Sequence, residues 1–153
     1  MPFMMTKHWI HAGLALLLLA ACSRETAPHI SDARIVLPPP GMQMAAAYME
    51  LHNGSHQHLT IGNISCPAFS MVEVHETRVV DGMSRMREVE NLSIPPGGSV
   101  KLVPGGMHLM LMGYRKDPSQ FKNLPITIDL IAEDGTESIV EVSAPVLSSA
   151  SDG

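Results

Sequence analysis

The chain has little of what most enzymes and cofactor proteins are built from. Among 153 residues there are two cysteines, one tryptophan, two tyrosines and three phenylalanines, and only 16% of residues are charged. Two cysteines cannot supply a disulfide framework or a thiolate-rich zinc site. The low charge fraction beside 45% apolar residues excludes a disordered chain, and a formal charge of −5 excludes a broad nucleic-acid-binding face. No apolar run is long enough to cross a bilayer as a helix, and no stretch has the periodicity of an amphipathic helix. The length allows one domain, not two well-packed ones. Against these absences stand 12 methionines and eight histidines, more thioether and imidazole than packing requires. That surplus points to a metal.

Lys7 followed by the apolar run 10–21 has the charged start and short apolar core of a secretory signal. The run ends in Leu19-Ala20-Ala21-Cys22, which resembles a bacterial lipobox, where the cysteine is acylated and heads the mature chain. The organisation expected is a signal at 1–21, a flexible polar tether at 22–31, one folded domain at 32–148 and a short tail at 149–153. Lipidation of Cys22 implies a lipid bilayer as partner and a protein facing the periplasm. Ser23, in place of an aspartate after the cysteine, points to outer-membrane sorting. Cys66, in the apolar setting Ile64-Ser65-Cys66-Pro67, is then the single unacylated thiol, expected to be buried and inert.

The rest reads as strands divided by glycine and proline, an all-β pattern. Candidate strands are 33–37, 45–52, 59–64, 71–80, 83–89, 100–103, 107–112, 125–132 and 137–142. Nine short strands at this spacing suggest a β-sandwich or Greek-key barrel. The Asp81-Gly82 turn fixes a hairpin register. Val80 faces Met83, Thr77 faces Met86 and His75 faces Glu88, so His75 and Met86 are diagonal neighbours on one face. The same register sets Glu76 against Arg87, and Arg78 against Arg85. In 107–112 the alternation puts Leu109 and Leu111 into the core and His108, Met110 and Met112 on the opposite face.

His75, ten residues, Met86, twenty-one residues, then His108-x-Met110 is a spacing that resembles the periplasmic PCu(A)C copper chaperones. The resemblance runs on through Ala46-Ala47-Tyr48-Met49, Val72-Glu73-Val74-His75-Glu76-Thr77, Ile94-Pro95-Pro96-Gly97-Gly98 and Pro104-Gly105-Gly106. It implies a cupredoxin-like Greek-key β-sandwich or barrel with His75, Met86, His108 and Met110 as Cu(I) ligands. It also implies delivery of copper to an acceptor such as the assembly components of cytochrome c oxidase, towards that enzyme's binuclear copper centre. The lipobox departs from the family, many of whose members resemble freely soluble proteins. Independently, two neutral thioethers and two imidazoles form a soft donor set that favours Cu(I) over Zn²⁺, Mg²⁺ or Ca²⁺. A set without thiolates suits an oxidising compartment.

Further donors are weighed around this set. His52, His56 and His58 flank Asn53-Gly54 and are candidates for a secondary Cu(II) site. Met42 and Met44 could approach the metal end, Met83 and Met112 could stand just outside the ligands, and Glu88 is the expected partner orienting His75. Blue-copper electron transfer would need a thiolate, which only Cys66 could supply. Four protein ligands leave no open metal position for a substrate, so the expectation is a binding protein and not an enzyme. Envelope copper sequestration, using the same site, is the alternative to delivery.

Overall fold

A computed structural model describes residues 25–149. Among the described residues there are ten strands: β1 His29–Leu37, β2 Met44–His52, β3 Leu59–Ser65, β4 Phe69–Val80, β5 Met83–Glu88, β6 Ser93–Ile94, β7 Ser99–Leu102, β8 Met107–Tyr114, β9 Asn123–Ala132 and β10 Glu137–Ser148. Among the described residues there is no α-helix, and Pro118–Gln120 forms a short 3₁₀ turn. The sheet runs β5-β4-β8-β2-β1-β10-β9-β3-β6, with β7 paired to the second half of β2. It rolls up until β3 packs against β4. This is an all-β, cupredoxin-like fold.

The core follows from alternation. Ile35 of β1, Ala45, Ala47, Met49 and Leu51 of β2, Val74 of β4, and Leu109 and Leu111 of β8 point inward. They meet Leu59 and Ile61 of β3 and Ile126, Ile128 and Leu130 of β9, all buried. Burial of this kind contributes roughly 25 cal/mol per Å² of apolar surface. The register of the Asp81-Gly82 hairpin is as expected, including Thr77 opposite Met86, His75 opposite Glu88 and Arg78 opposite Arg85. Asp81 and Gly82 both adopt positive φ, the conformation this tight turn demands.

Two strand ends and one unpredicted strand depart most from the sequence reading, the other ends differing by at most two residues. β1 begins at His29, not at residue 33, so residues 29–31 of the expected tether pair with β2. A register shift between Ser31 and Arg34, with Asp32 at φ 54°, interrupts the alternation that would have revealed this half of the strand. β10 continues six residues past Val142. At Pro145, where an N–H is missing, the strand changes partner from β9 to a parallel pairing with β1. The two-residue β6 is too short to carry a pattern.

Candidate metal centre

The four sequence-selected residues come from three adjacent strands on the outer face of the sheet. His75 on β4 is the direct cross-strand partner of His108 on β8, and the ring centroids are 6.3 Å apart. Met110 lies opposite Glu73, one diagonal step from His75, and Met86 lies on the other diagonal, opposite Thr77. Such diagonals span about 7–8 Å, within reach of long side chains. The β4–β5 hairpin curls enough that Met86, His108 and Met110 line one apolar cleft of about 250 Å³, which Met42 and Met44 also line. Met86 is 52% exposed while His108 is 7% exposed. Met86 is therefore open to the surroundings and His108 is held in the wall.

Hydrogen bonding sets the tautomer of both imidazoles. His108 Nδ1 is 3.1 Å from the Gly106 carbonyl oxygen, which can only accept, so Nδ1 carries the proton and Nε2 keeps its lone pair. His75 Nε2 is 2.9 Å from Glu73 Oε2, so Nε2 donates, and in the neutral ring Nδ1 is the nitrogen with the lone pair. That His75 Nδ1 is buried without any hydrogen-bond partner. A buried unpaired nitrogen is costly unless something else binds it. Two imidazole lone pairs beside two thioethers fit a soft monovalent ion such as Cu(I), and no hard carboxylate is needed. Among the described residues no three His, Cys, Asp or Glu side chains assemble a metal cluster.

Glu73, not Glu88, is the partner of His75. Glu88 does sit opposite His75 in the ladder, but residues i and i+2 of one strand share a face, and that spacing brings the Glu73 carboxylate onto the ring. The Glu73-Val74-His75 triplet was visible in the sequence as that i, i+2 pair. Glu73→Gln is expected to lower Cu(I) affinity by about 10–100-fold, the usual cost of losing a group that orients a ligand. Competition against a Cu(I) chelator measures it, and the fold is expected to be unchanged in circular dichroism. On the far side of His108, the Tyr48 ring stands 6.4 Å away with the Arg34 guanidinium 5.0 Å over it. Sequence alternation had left both unassigned.

The other candidate donors separate. Met83 is opposite Val80, on the hairpin face away from Met86, so it does not stand beside the ligands. Met112 shares the face of Met110 and pairs with Met44 and Met71. Among the described residues His52, His56 and His58 do not form a group of three metal-ligating side chains. The His52 ring stacks on His29, with centroids 4.5 Å apart, and its Nε2 is 2.8 Å from Ser31 Oγ. His58 Nδ1 is 3.4 Å from Ser93 Oγ, and His56 is exposed. Between them Asn53 is a buried side chain whose amide donates to the carbonyls of Gln57, Ile94 and Pro95 while its oxygen accepts from Ser55, which closes the loop on itself.

Cys66 is 3% exposed, and burial pushes its thiol pKa up, so the thiolate that a blue-copper site requires is disfavoured. In a Cys22→Ser chain, Cys66 is expected to resist alkylation at neutral pH and to react at the rate of a free thiol in denaturant. A fast native reaction would contradict the burial. Cys22 itself lies outside the described residues, as do the signal and the last residues of the tail.

Known proteins share this architecture. The copper-bound PCuAC domain from PmoF2 aligns with a TM-score of 0.60 at 20% identity, covering 80% of this chain and 94% of that domain. The Cu(I) form of DR1885 from Deinococcus radiodurans aligns with a TM-score of 0.53 at 31% identity, covering 81% of this chain and 78% of that one. A curated relative, "Putative lipoprotein Lxx21020" of Leifsonia xyli subsp. xyli, is 32% identical over 114 residues, 73% of this chain and 67% of the relative. Residues 29–146, from the first residue of β1 to the parallel pairing of β10, match the LpqE-like family, and the chain belongs to that family.

Proposed function

We propose that this protein is a copper chaperone outside the cytoplasm, holding one Cu(I) at His75, Met86, His108 and Met110 and passing it to an acceptor. The observation that carries this reading is the pair of imidazole lone pairs, freed by Glu73 and Gly106, beside thioethers on the same sheet face. The copper-bound PCuAC domain of like fold and the Cu(I) form of the 31% identical Deinococcus protein support it. Copper is cargo here, not a resident cofactor. Imidazoles hold it from the wall and from β4, while the exposed Met86 is the ligand an incoming acceptor can displace first. The thioethers exchange without gaining or losing a proton, since a thioether has none to lose.

The anchor belongs to the same reading: Cys22 is acylated and the polar residues after it hold the domain away from a membrane surface, facing the periplasm. The likeness to a lipoprotein relative and to the LpqE-like family supports it. Fractionation tests it, since wild type should sediment with membranes and a Cys22→Ser form should not. Anaerobic competition against a Cu(I) chelator tests the site. One Cu(I) is expected to bind tightly at these four residues, and undiminished tight binding after Met86→Ala with Met110→Ala would refute the ligand assignment. Delivery towards the binuclear centre of cytochrome c oxidase predicts that a deletion strain loses copper from that enzyme. Heightened copper sensitivity with normal oxidase copper would favour sequestration instead.

A further inference from the structure

The outer face of the sheet carries three more methionines in one row. Met44 on β2 is the direct partner of Met112 on β8, and Met112 is the direct partner of Met71 on β4. Direct antiparallel partners point to the same face, with Cβ atoms about 4.5–5.5 Å apart. That face is not the core: the intervening Ala45 and Leu111 are buried, whereas Met44 is 37% and Met71 49% exposed. Met112, between them, is half-buried, and two exposed thioethers flanking a third are not explained by packing.

The backbone under the row is held firmly. The Tyr114 hydroxyl donates to the Met44 carbonyl at 3.3 Å, Ser70 Oγ donates to the Met112 carbonyl at 3.0 Å, and Gly113 N–H donates to the Gln43 carbonyl at 3.0 Å. Gly113, at φ 66°, is required there, since a Cβ would collide with Ser70 Oγ. On this fixed base each methionine keeps three rotatable bonds, so sulfurs from adjacent strands can converge on one ion. The donors are all neutral and soft, which suits Cu(I) or Ag(I) and no hard or borderline cation.

We infer that Met44, Met71 and Met112 form a second, all-thioether site for a monovalent soft metal ion, next to the two-His, two-Met centre. Met110 lies two residues before Met112 on the same face of β8, roughly 7 Å along the strand. Met44 also lines the cleft shared by Met86, His108 and Met110. The row is therefore a loading or exit position from which Cu(I) steps to the main centre by exchange of thioethers. The ion remains Cu(I) throughout and no proton is transferred. The identity of the cargo rests on the proposed function; the existence of the site does not.

The test uses Ag(I), a redox-silent mimic of Cu(I), titrated in chloride-free buffer into the purified protein carrying ¹³C-labelled methionine methyl groups. Two equivalents are expected to bind. The stronger moves the Met86 and Met110 methyl signals, and the weaker moves those of Met44, Met71 and Met112 together. In a His75→Ala/His108→Ala variant the row should still respond. In a Met44→Leu/Met71→Leu/Met112→Leu variant, stoichiometry should fall from about two to about one with the Met86 and Met110 shifts retained. Anything other than joint movement of the three row methyls, or loss of that movement in the double-histidine variant, overturns the second site. If the row responds and Met86 and Met110 do not, the second site stands and the proposed main centre fails.

Discussion

Met86→Ala is expected to weaken Cu(I) binding by more than about 100-fold, beyond the usual cost of losing a group that merely orients a ligand. Restoring a methionine one residue away is expected not to help. In an Arg85→Met/Met86→Ala variant the methionine count is unchanged, yet position 85 faces the other side of the hairpin, opposite Arg78. That side has its own role. Glu76 Oε2 lies 2.8 Å from Arg78 and 3.0 Å from Arg87, and hydrogen bonds from Arg78 first and Arg87 second hold its carboxyl below the ordinary value. A depressed carboxyl pKa stabilises the hairpin above the normal carboxylate range and ceases to do so as acid protonates it. Removing Arg85 takes away only a like-charge neighbour of Arg78, so the thermal midpoint of the double variant should match that of Met86→Ala. Chelator competition decides the matter. Wild-type affinity in the double variant would mean that β5 is slipped or bulged and that Thr77 does not face Met86.

Leu109→Ala is expected to cost about 2–5 kcal/mol of folding free energy, the range for truncating a fully buried leucine and leaving a cavity. Leu109 is 0% exposed and faces the core between its partners Val74 on β4 and Ala47 on β2. No neighbour can collapse into the space without shifting a sheet whose other face carries His108 and Met110. Thermal unfolding should fall by on the order of 10 °C. Saturating Cu(I) should recover part of the loss, since ligand at about 100 times its dissociation constant adds about 2.7 kcal/mol. A midpoint within a degree or two of wild type would mean that β8 does not deliver Leu109 to the core.

The alternation in residues 107–112 determined by itself which side chains of β8 go inward, because a strand has a period of two and the leucines and the His-Met set fall on opposite phases. The Asp81-Gly82 turn determined the β4–β5 register for a similar reason: a two-residue loop leaves no freedom in how its strands pair. These are local facts, carried by residues close in sequence. The sequence could not show that β4 and β8 are neighbours, because their pairing spans more than thirty residues and a crossing of the sheet. Only that pairing sets His75 against His108, assembles Met44, Met112 and Met71 into a row, and lays Met86 into a cleft with strands it does not touch in the ladder. The partner of His75 was expected to be Glu88, its cross-strand neighbour, and side-chain direction on the twisted sheet selected Glu73 along the strand instead. The loop that carries His52, His56 and His58 is tied by Asn53, whose hydrogen bonds reach the carbonyls of Ile94 and Pro95 some forty residues away. Periodicity specifies faces; which faces adjoin is decided when the core closes, since only the whole set of buried residues selects the strand order.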